Sequence, residues 1–198
     1  MPTERNEPVL PLLSAEHAVT AALAAGIPEM LAGPYVLRFG LRHPNVARVL
    51  ADMIDVAVLN GTLDARLREV AILRVGWRIG SVYEWSNHVP IGRRSGLTDA
   101  ELVAIRNADA AVLGAGDMLV INVVDEVLDH VGVTRSTLDA VRSHLDDDAA
   151  LMELVTIAGC YRAIGSLLLS FAVPLEDHVE PWAPDGVAPT GRSTVGGE

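Results

Sequence analysis

Residues 65–88 read ARLREVAILRVGWRIGSVYEWSNH. Up to Ile79 the run is alanine, leucine, isoleucine, valine, arginine and glutamate, with none of the strict alternation that marks a strand, so it reads as a helix. Gly80 interrupts it where a helix takes its C-terminal stop, and a second helical run starts at once. Two helices joined by so tight a turn pack antiparallel. The second arm has a polar face. At about 100° per residue, Ser81, Glu84 and His88 fall on one narrow stripe with Trp85 beside it. Glu84 and His88 stand at i, i+4, where helical side chains meet. Glu69, on the first arm among Val70, Ile72 and Leu73, comes within reach of that stripe.

The same helical period runs along the chain. The first helix is expected from Ser14 toward Ala25, broken by Gly26-Ile27-Pro28. A second starts near Pro34 or Tyr35 and ends about Arg42. A third opens at Pro44 and closes at Asn60-Gly61. The 65–80 helix starts from Thr62 or Asp64, and the arm carrying His88 runs to about Ser95, stopped by Gly96. Thr98-Asp-Ala-Glu101 is a capping box opening a sixth helix. Asp117 to His130 reads as a seventh, and Thr134 caps an eighth that ends near Leu145. Asp146-Asp-Asp148 places negative charge at the start of a last helix, from about Ala149 to Phe171. The expected architecture is all-α and a single domain over 1–198. A tail rich in proline and glycine is expected to be disordered from Asp185 to Glu198, although Trp182 can pack on a neighbouring surface.

Composition narrows the function. The 198 residues are 50% apolar with a net charge of −11, and mean hydropathy is positive. The charge argues against a nucleic-acid partner, which needs a basic footprint. The longest apolar stretch, Leu151 to Pro174, is broken by Glu153 and Arg162, so no membrane span is expected. The N-terminus lacks a secretory apolar region, which points to the cytoplasm. The apolar excess suggests helices buried between subunits. All 15 basic residues are arginine. A lysine Schiff base, a pyridoxal-phosphate lysine and a Walker-type loop are therefore excluded. The single cysteine, Cys160, excludes an intramolecular disulfide and a cysteine-rich zinc site. The histidines show no ligand spacing, and no metal is expected.

What remains is acid–base chemistry. A carboxylate beside an imidazole raises the imidazole's pKa and burial lowers it, so such a pair can be tuned to trade a proton near neutral pH. An i, i+4 Glu/His pair is also common on solvated helix faces. Arg66, Arg74 and Arg78 can clamp a substrate carboxylate, but more ordinarily are surface charges or partners for Glu69 and Glu84. Arg162 interrupts an apolar helix, which suits a buried ion pair or an interface contact. Trp85 can wall a pocket, whereas Trp77 reads as packing.

At these residues the chain resembles the carboxymuconolactone decarboxylase family. The redox branch of that family, alkyl hydroperoxidase D, spaces Glu, Cys, Cys and His as Glu69, Ser81, Glu84 and His88 are spaced here. Tyr83-Glu84-Trp85-Ser86-Asn87-His88 is similar to the decarboxylase-like branch. The flanks ARLREVAILRVGWRIG and GLTDAEL and the late helix with Tyr161-Arg162 extend the resemblance over residues 44–175. Both redox cysteines are replaced, by Ser81 and Glu84. Disulfide cycling needs an attacking thiolate and a resolving thiol, so cysteine peroxidase activity is expected to be absent, with Cys160 a buried small hydrophobe.

The resemblance implies an alkyl hydroperoxidase D-like helical subunit, assembled as a homo-trimer or homo-hexamer and working without cofactor. It implies proton-transfer chemistry of the decarboxylase type on a small unsaturated or lactone acid. His88 would give or take the proton, and Glu84 would be its partner or a second acid/base. Glu69 would orient His88 or hold a proton, Ser81 and Tyr83 would hydrogen-bond the substrate, and Trp85 would wall the site. The alternatives are a non-catalytic small-molecule binder and, last, a peroxidase working through Cys160 alone.

Overall fold

Residues 8–190 are described by a computed structural model, and no strand occurs among them. The described residues form nine α-helices in order: α1 Ala15–Ala24, α2 Tyr35–Gly40, α3 Pro44–Ile54, α4 Ala65–Ile79, α5 Val82–Arg94, α6 Asp99–Asn107, α7 Ala115–His130, α8 Arg135–Leu145 and α9 Asp148–Ser170. The caps are those the sequence announces. Ser14 accepts from His17 N, Asp64 from Arg66 N and Leu67 N, and Thr98 forms the reciprocal box with Glu101. Gly80 ends α4 at φ 73°, a left-handed geometry that costs glycine nothing.

α4 is the axle. Every residue from Glu69 to Gly76 is buried, because α4 packs against α5, α6, α7 and α9. A helix enclosed on all sides is apolar all round, and its polar residues need partners. Arg74 reaches Asp125 at 2.7 Å and donates to the Ile105 and Arg106 carbonyls at 2.8 Å. Arg66 bridges Glu101 and Asp117, and Arg78 pairs with Asp125 and Asp129. These arginines therefore bolt α4 to its neighbours, and none of them partners Glu69 or Glu84.

Two apolar clusters result. One gathers α4 to α9 around Trp85, Ile72 and Leu154, and the other gathers α1 to α3 with Tyr83, Ile164 and Leu168. By length and apolarity alone α9 could cross a membrane, contrary to the expectation from its charged interruptions at Glu153 and Arg162. It instead packs on α4 and α7, and 44% of its most apolar window is buried. Arg162 is exposed and donates to the Val127 and Leu128 carbonyls near the end of α7. It forms no buried ion pair.

Three local features depart from the sequence pattern. A 3₁₀ turn, Glu29–Ala32, occupies part of the break after α1. The third helix is α-helical only to Ile54 and then widens into a π-turn, Asp55–Leu59. Asn60 closes that turn by donating its backbone and side-chain N–H groups to Asp55. The tail is held further than expected. Trp85 Nε1 donates to the Ala183 carbonyl at 2.6 Å, Trp182 meets Trp77 edge-on at 5.9 Å, and Asp185 pairs with Arg106 at 2.8 Å. Asp185, where disorder was expected to begin, is thus anchored. Residues 191–198 of that expected tail lie outside the described residues.

Candidate functional site

The α4–α5 hairpin brings Glu69 and His88 together as its geometry demands. His88 Nδ1 lies 2.8 Å from Glu69 Oε2, and its Nε2 lies 3.1 Å from the Tyr161 hydroxyl on α9. The other Glu69 oxygen accepts from Arg68 Nε at 3.1 Å. A carboxylate only accepts, so the Nδ1–H donates to Glu69 and Nε2 faces the Tyr161 hydroxyl. Burial pushes the Glu69 carboxyl up, but His88 and Arg68 outweigh it and hold the group below the ordinary carboxylate value. Burial, reinforced by Glu69 and Glu84, keeps the Tyr161 phenol well above its ordinary value and therefore protonated.

This chain of groups opens on a cavity of about 390 Å³ between the two apolar clusters. Its walls include Val36, Ile54, Val58, Ile164 and Leu168, with Tyr83, Glu84, Asn87, His88, Tyr161, Glu176 and His178 as the polar elements. The volume is at the lower end of small-molecule sites. Among the described residues no three of His, Cys, Asp and Glu group as metal ligands.

Glu84 borders this cavity but does not touch the imidazole. Both His88 nitrogens are engaged elsewhere, so the i, i+4 pairing of Glu84 with His88 is not made. Instead the Glu84 carboxyl is buried with neither oxygen hydrogen-bonded. Burial raises its pKa well above the ordinary value, and the neighbouring Ser81 opposes that shift without cancelling it. Burial thus favours its protonated form. Gly165 on α9 makes room for it. A Cβ at that position would stand 2.9 Å from Glu84 Oε2 and would collide with Ile79 Cδ1. Gly165→Ala is expected to cost about 1–3 kcal/mol in chemical denaturation, as overpacking does. An unchanged midpoint would mean that α9 and Glu84 are not in contact.

Tyr83 faces the cavity, but its phenol is already committed. It donates to Glu176 Oε1 at 2.7 Å and accepts from Val36 N at 3.0 Å. Ser81 and Trp85 are not in the cavity wall. Ser81 is the N-cap of α5 and accepts from Glu84 N at 3.3 Å. Trp85, 0% exposed, faces the main core. It meets Trp77 at 5.3 Å, and the Arg106 guanidinium lies 4.8 Å from its ring. A position one residue off the polar stripe turns about 100° away from it, which is why Trp85 anchors the tail rather than walling the site.

Four further residues matter. Tyr161 follows Gly159-Cys160 and precedes Arg162 on an otherwise apolar helix, and the sequence points to it only through the resemblance at Tyr161-Arg162. Arg68 precedes Glu69 directly. Asn87 lies one turn after Tyr83 and donates to Glu176 Oε2 at 3.0 Å. Glu176, from the segment after Pro174, carried no sequence signal. Cys160 is half-buried rather than enclosed, lies outside the cavity wall, and burial raises its thiol pKa.

The fold and site define an all-helical protein with an alkyl hydroperoxidase D-like frame. One solved structure, described as the alkylhydroperoxidase AhpD core, an uncharacterized peroxidase-related protein from Ralstonia eutropha JMP134, superposes with a TM-score of 0.70. It is 15% identical, over 86% of this chain and 93% of that one. An uncharacterized peroxidase-related protein from Silicibacter sp. TM1040 gives 0.67 at 15% identity, over 87% and 91%. No curated protein matches in sequence. The model of the carboxymuconolactone decarboxylase family matches residues 44–126, so this segment of the chain is similar to that family. The match holds Glu69, Glu84 and His88 but ends before Tyr161.

Proposed function

We propose that the protein is a cofactor-independent enzyme of the lyase/isomerase type, moving a proton on a small unsaturated or lactone substrate. The observation that carries this reading is the hydrogen-bonded series Glu69–His88–Tyr161 at the wall of a mostly apolar cavity. Glu69 fixes the imidazole tautomer and balances the positive charge the ring acquires. His88 takes the proton at Nε2 and returns it to carbon. Tyr161 is the O–H placed to hydrogen-bond the oxyanion that develops meanwhile. Glu84 adds a second carboxyl, whose protonated form burial favours. The test is solvent-deuterium exchange, followed by NMR, on a panel of small unsaturated lactones and cyclic enones. Site-dependent incorporation at carbon supports the reading, and its absence across the panel counts against it.

A peroxidase working through Cys160 is the competing enzymatic reading. Alkylating Cys160 or replacing it with serine is expected to leave turnover within about twofold, because a thiol raised by burial and outside the cavity has no part in the proton path. Loss of activity on alkylation would favour the thiol. The same reading takes the working form as a homo-trimer or homo-hexamer in the cytoplasm. Its support is exposed apolar surface, including Val49, Val56 and Met152. Sedimentation measurements test the assembly state.

A further inference from the structure

The polar groups at the cavity decide what charge a ligand can carry. Among the described residues no arginine is in the wall. Arg68 faces the outer oxygen of Glu69, and Arg66, Arg74 and Arg78 are spent on acids of α6 and α7. Where an anion would most naturally settle, one already sits. Glu176 Oε1 accepts from Tyr35 N at 2.9 Å and from the Tyr83 hydroxyl at 2.7 Å, while Oε2 accepts from Asn87 Nδ2 at 3.0 Å. A backbone N–H, a phenol and an amide, which together could hold an incoming carboxylate, are thus filled by the chain's own. The Val36 N–H is likewise taken, by the Tyr83 oxygen. Two histidines line the wall: His88 is already matched by Glu69 at 2.8 Å, and His178 is exposed to solvent.

We propose that the cavity is built for an uncharged carbonyl compound of lactone or cyclic-enone size, and that Glu176 is the internal carboxylate that excludes anionic ones. The proposal rests on the proton-transfer reading of the same site for the carbonyl, and on the polar lining for the charge. An anion entering here would lose its hydration against Val36, Ile54, Val58, Ile164 and Leu168 and meet no buried cation that lacks a carboxylate partner. A neutral carbonyl loses much less and needs one donor.

The chemistry follows from the charge. An uncharged substrate has no carboxylate to shed as CO2, so the reaction is an isomerisation. His88 removes a proton from the carbon between carbonyl and alkene, and the C–H electron pair delocalises into a dienolate. The proton returns from His88 to the far alkene carbon, leaving the conjugated isomer. Substrate and product have the same atoms and oxidation level, and no co-reactant is consumed.

Three probes of one ring size separate the possibilities: β,γ-unsaturated cyclohexenone, cyclohexenecarboxylate and cyclohexenylammonium. Affinities are read by calorimetry at neutral pH on the full-length protein. The enone is expected to bind about a hundredfold more tightly than the carboxylate, given the cost of an unpaired buried charge. Glu176→Ala is expected to strengthen carboxylate binding at least about tenfold and to leave the enone nearly unchanged, because it frees the donors on Tyr35, Tyr83 and Asn87. If that variant fails to fold, Glu176→Gln is expected to move the ratio the same way. Equal or tighter binding of the carboxylate or the ammonium to the native protein overturns the proposal. So does failure of all three to bind, or a carboxylate affinity that neither variant improves. Solvent-deuterium incorporation separates this result from the parent reading. A tightly bound enone that takes up no deuterium sinks proton transfer and keeps the charge selectivity. Exchange into the carboxylate does the reverse.

Discussion

His88→Gln is expected to lower turnover about a hundred- to ten-thousandfold, the usual contribution of a positioned acid–base group. Helix content and assembly are expected to stay intact. Glutamine can still donate to Glu69 and fill most of the ring's volume, but it cannot accept and return a proton at neutral pH. The loss should appear chiefly in kcat, because the imidazole is a small part of a largely apolar cavity wall. Circular dichroism and sedimentation establish the fold, and deuterium exchange at carbon gives the activity. If His88→Gln turns over at the native rate, the Glu69–His88–Tyr161 series is structural. If neither protein exchanges deuterium while both bind ligand equally, the non-catalytic binder becomes the better account.

The second large effect lies at Glu84. Its buried carboxyl has no hydrogen-bond partner for either oxygen, and such a group destabilises the fold that contains it. Glu84→Met removes it at similar volume. We expect a gain of about 1–3 kcal/mol at neutral pH, the cost of an unsatisfied buried polar group. For a chain of this length that is roughly 2–4 °C in Tm per kcal/mol. Activity should fall sharply in the same variant, so that stability and turnover move in opposite directions, as they do where a strained group is kept for function.

The pH dependence has a definite sign. The folded Glu84 pKa is raised by burial, so its contribution to stability is fully present below the ordinary carboxylate value and is lost as pH rises through the folded value. The advantage of Glu84→Met therefore grows as pH climbs from about 4.3. Glu69 runs the other way. Its pKa is lowered by His88 and Arg68 against burial, so its contribution is present above the ordinary value and lost on acidification. The difference between wild-type and Glu84→Met denaturation curves cancels Glu69 and isolates Glu84. A flat difference across that range, or a destabilised variant, would show that Glu84 is solvated or paired.

Helix order was legible because the signals are local. Ser14, Asp64, Thr98 and Thr134 each have an oxygen that can accept an otherwise unpaired N–H, and Gly80 stops a helix wherever it lies in the fold. The pairing of Glu69 with His88 was also within reach, since a one-glycine turn leaves two helices little choice but to lie side by side. The π-turn at Asp55–Leu59 was not, because one extra residue in a turn leaves the apolar pattern nearly unchanged.

The amino-acid sequence alone determined the all-helical frame, the hairpin that sets a carboxylate against an imidazole, and the absence of any lysine or paired-cysteine chemistry. Those properties depend on neighbours a few residues apart or on composition. Only the tertiary structure decided that Tyr161 takes the other imidazole nitrogen, that Glu84 stands alone, that Trp85 faces the core, and that Glu176 fills the donors an anion would use. His88 and Tyr161 are 73 residues apart, and Tyr83 and Glu176 are 93 apart. Contacts at such separations arise when α9 and the segment after it close over the hairpin, and no period in the chain records them.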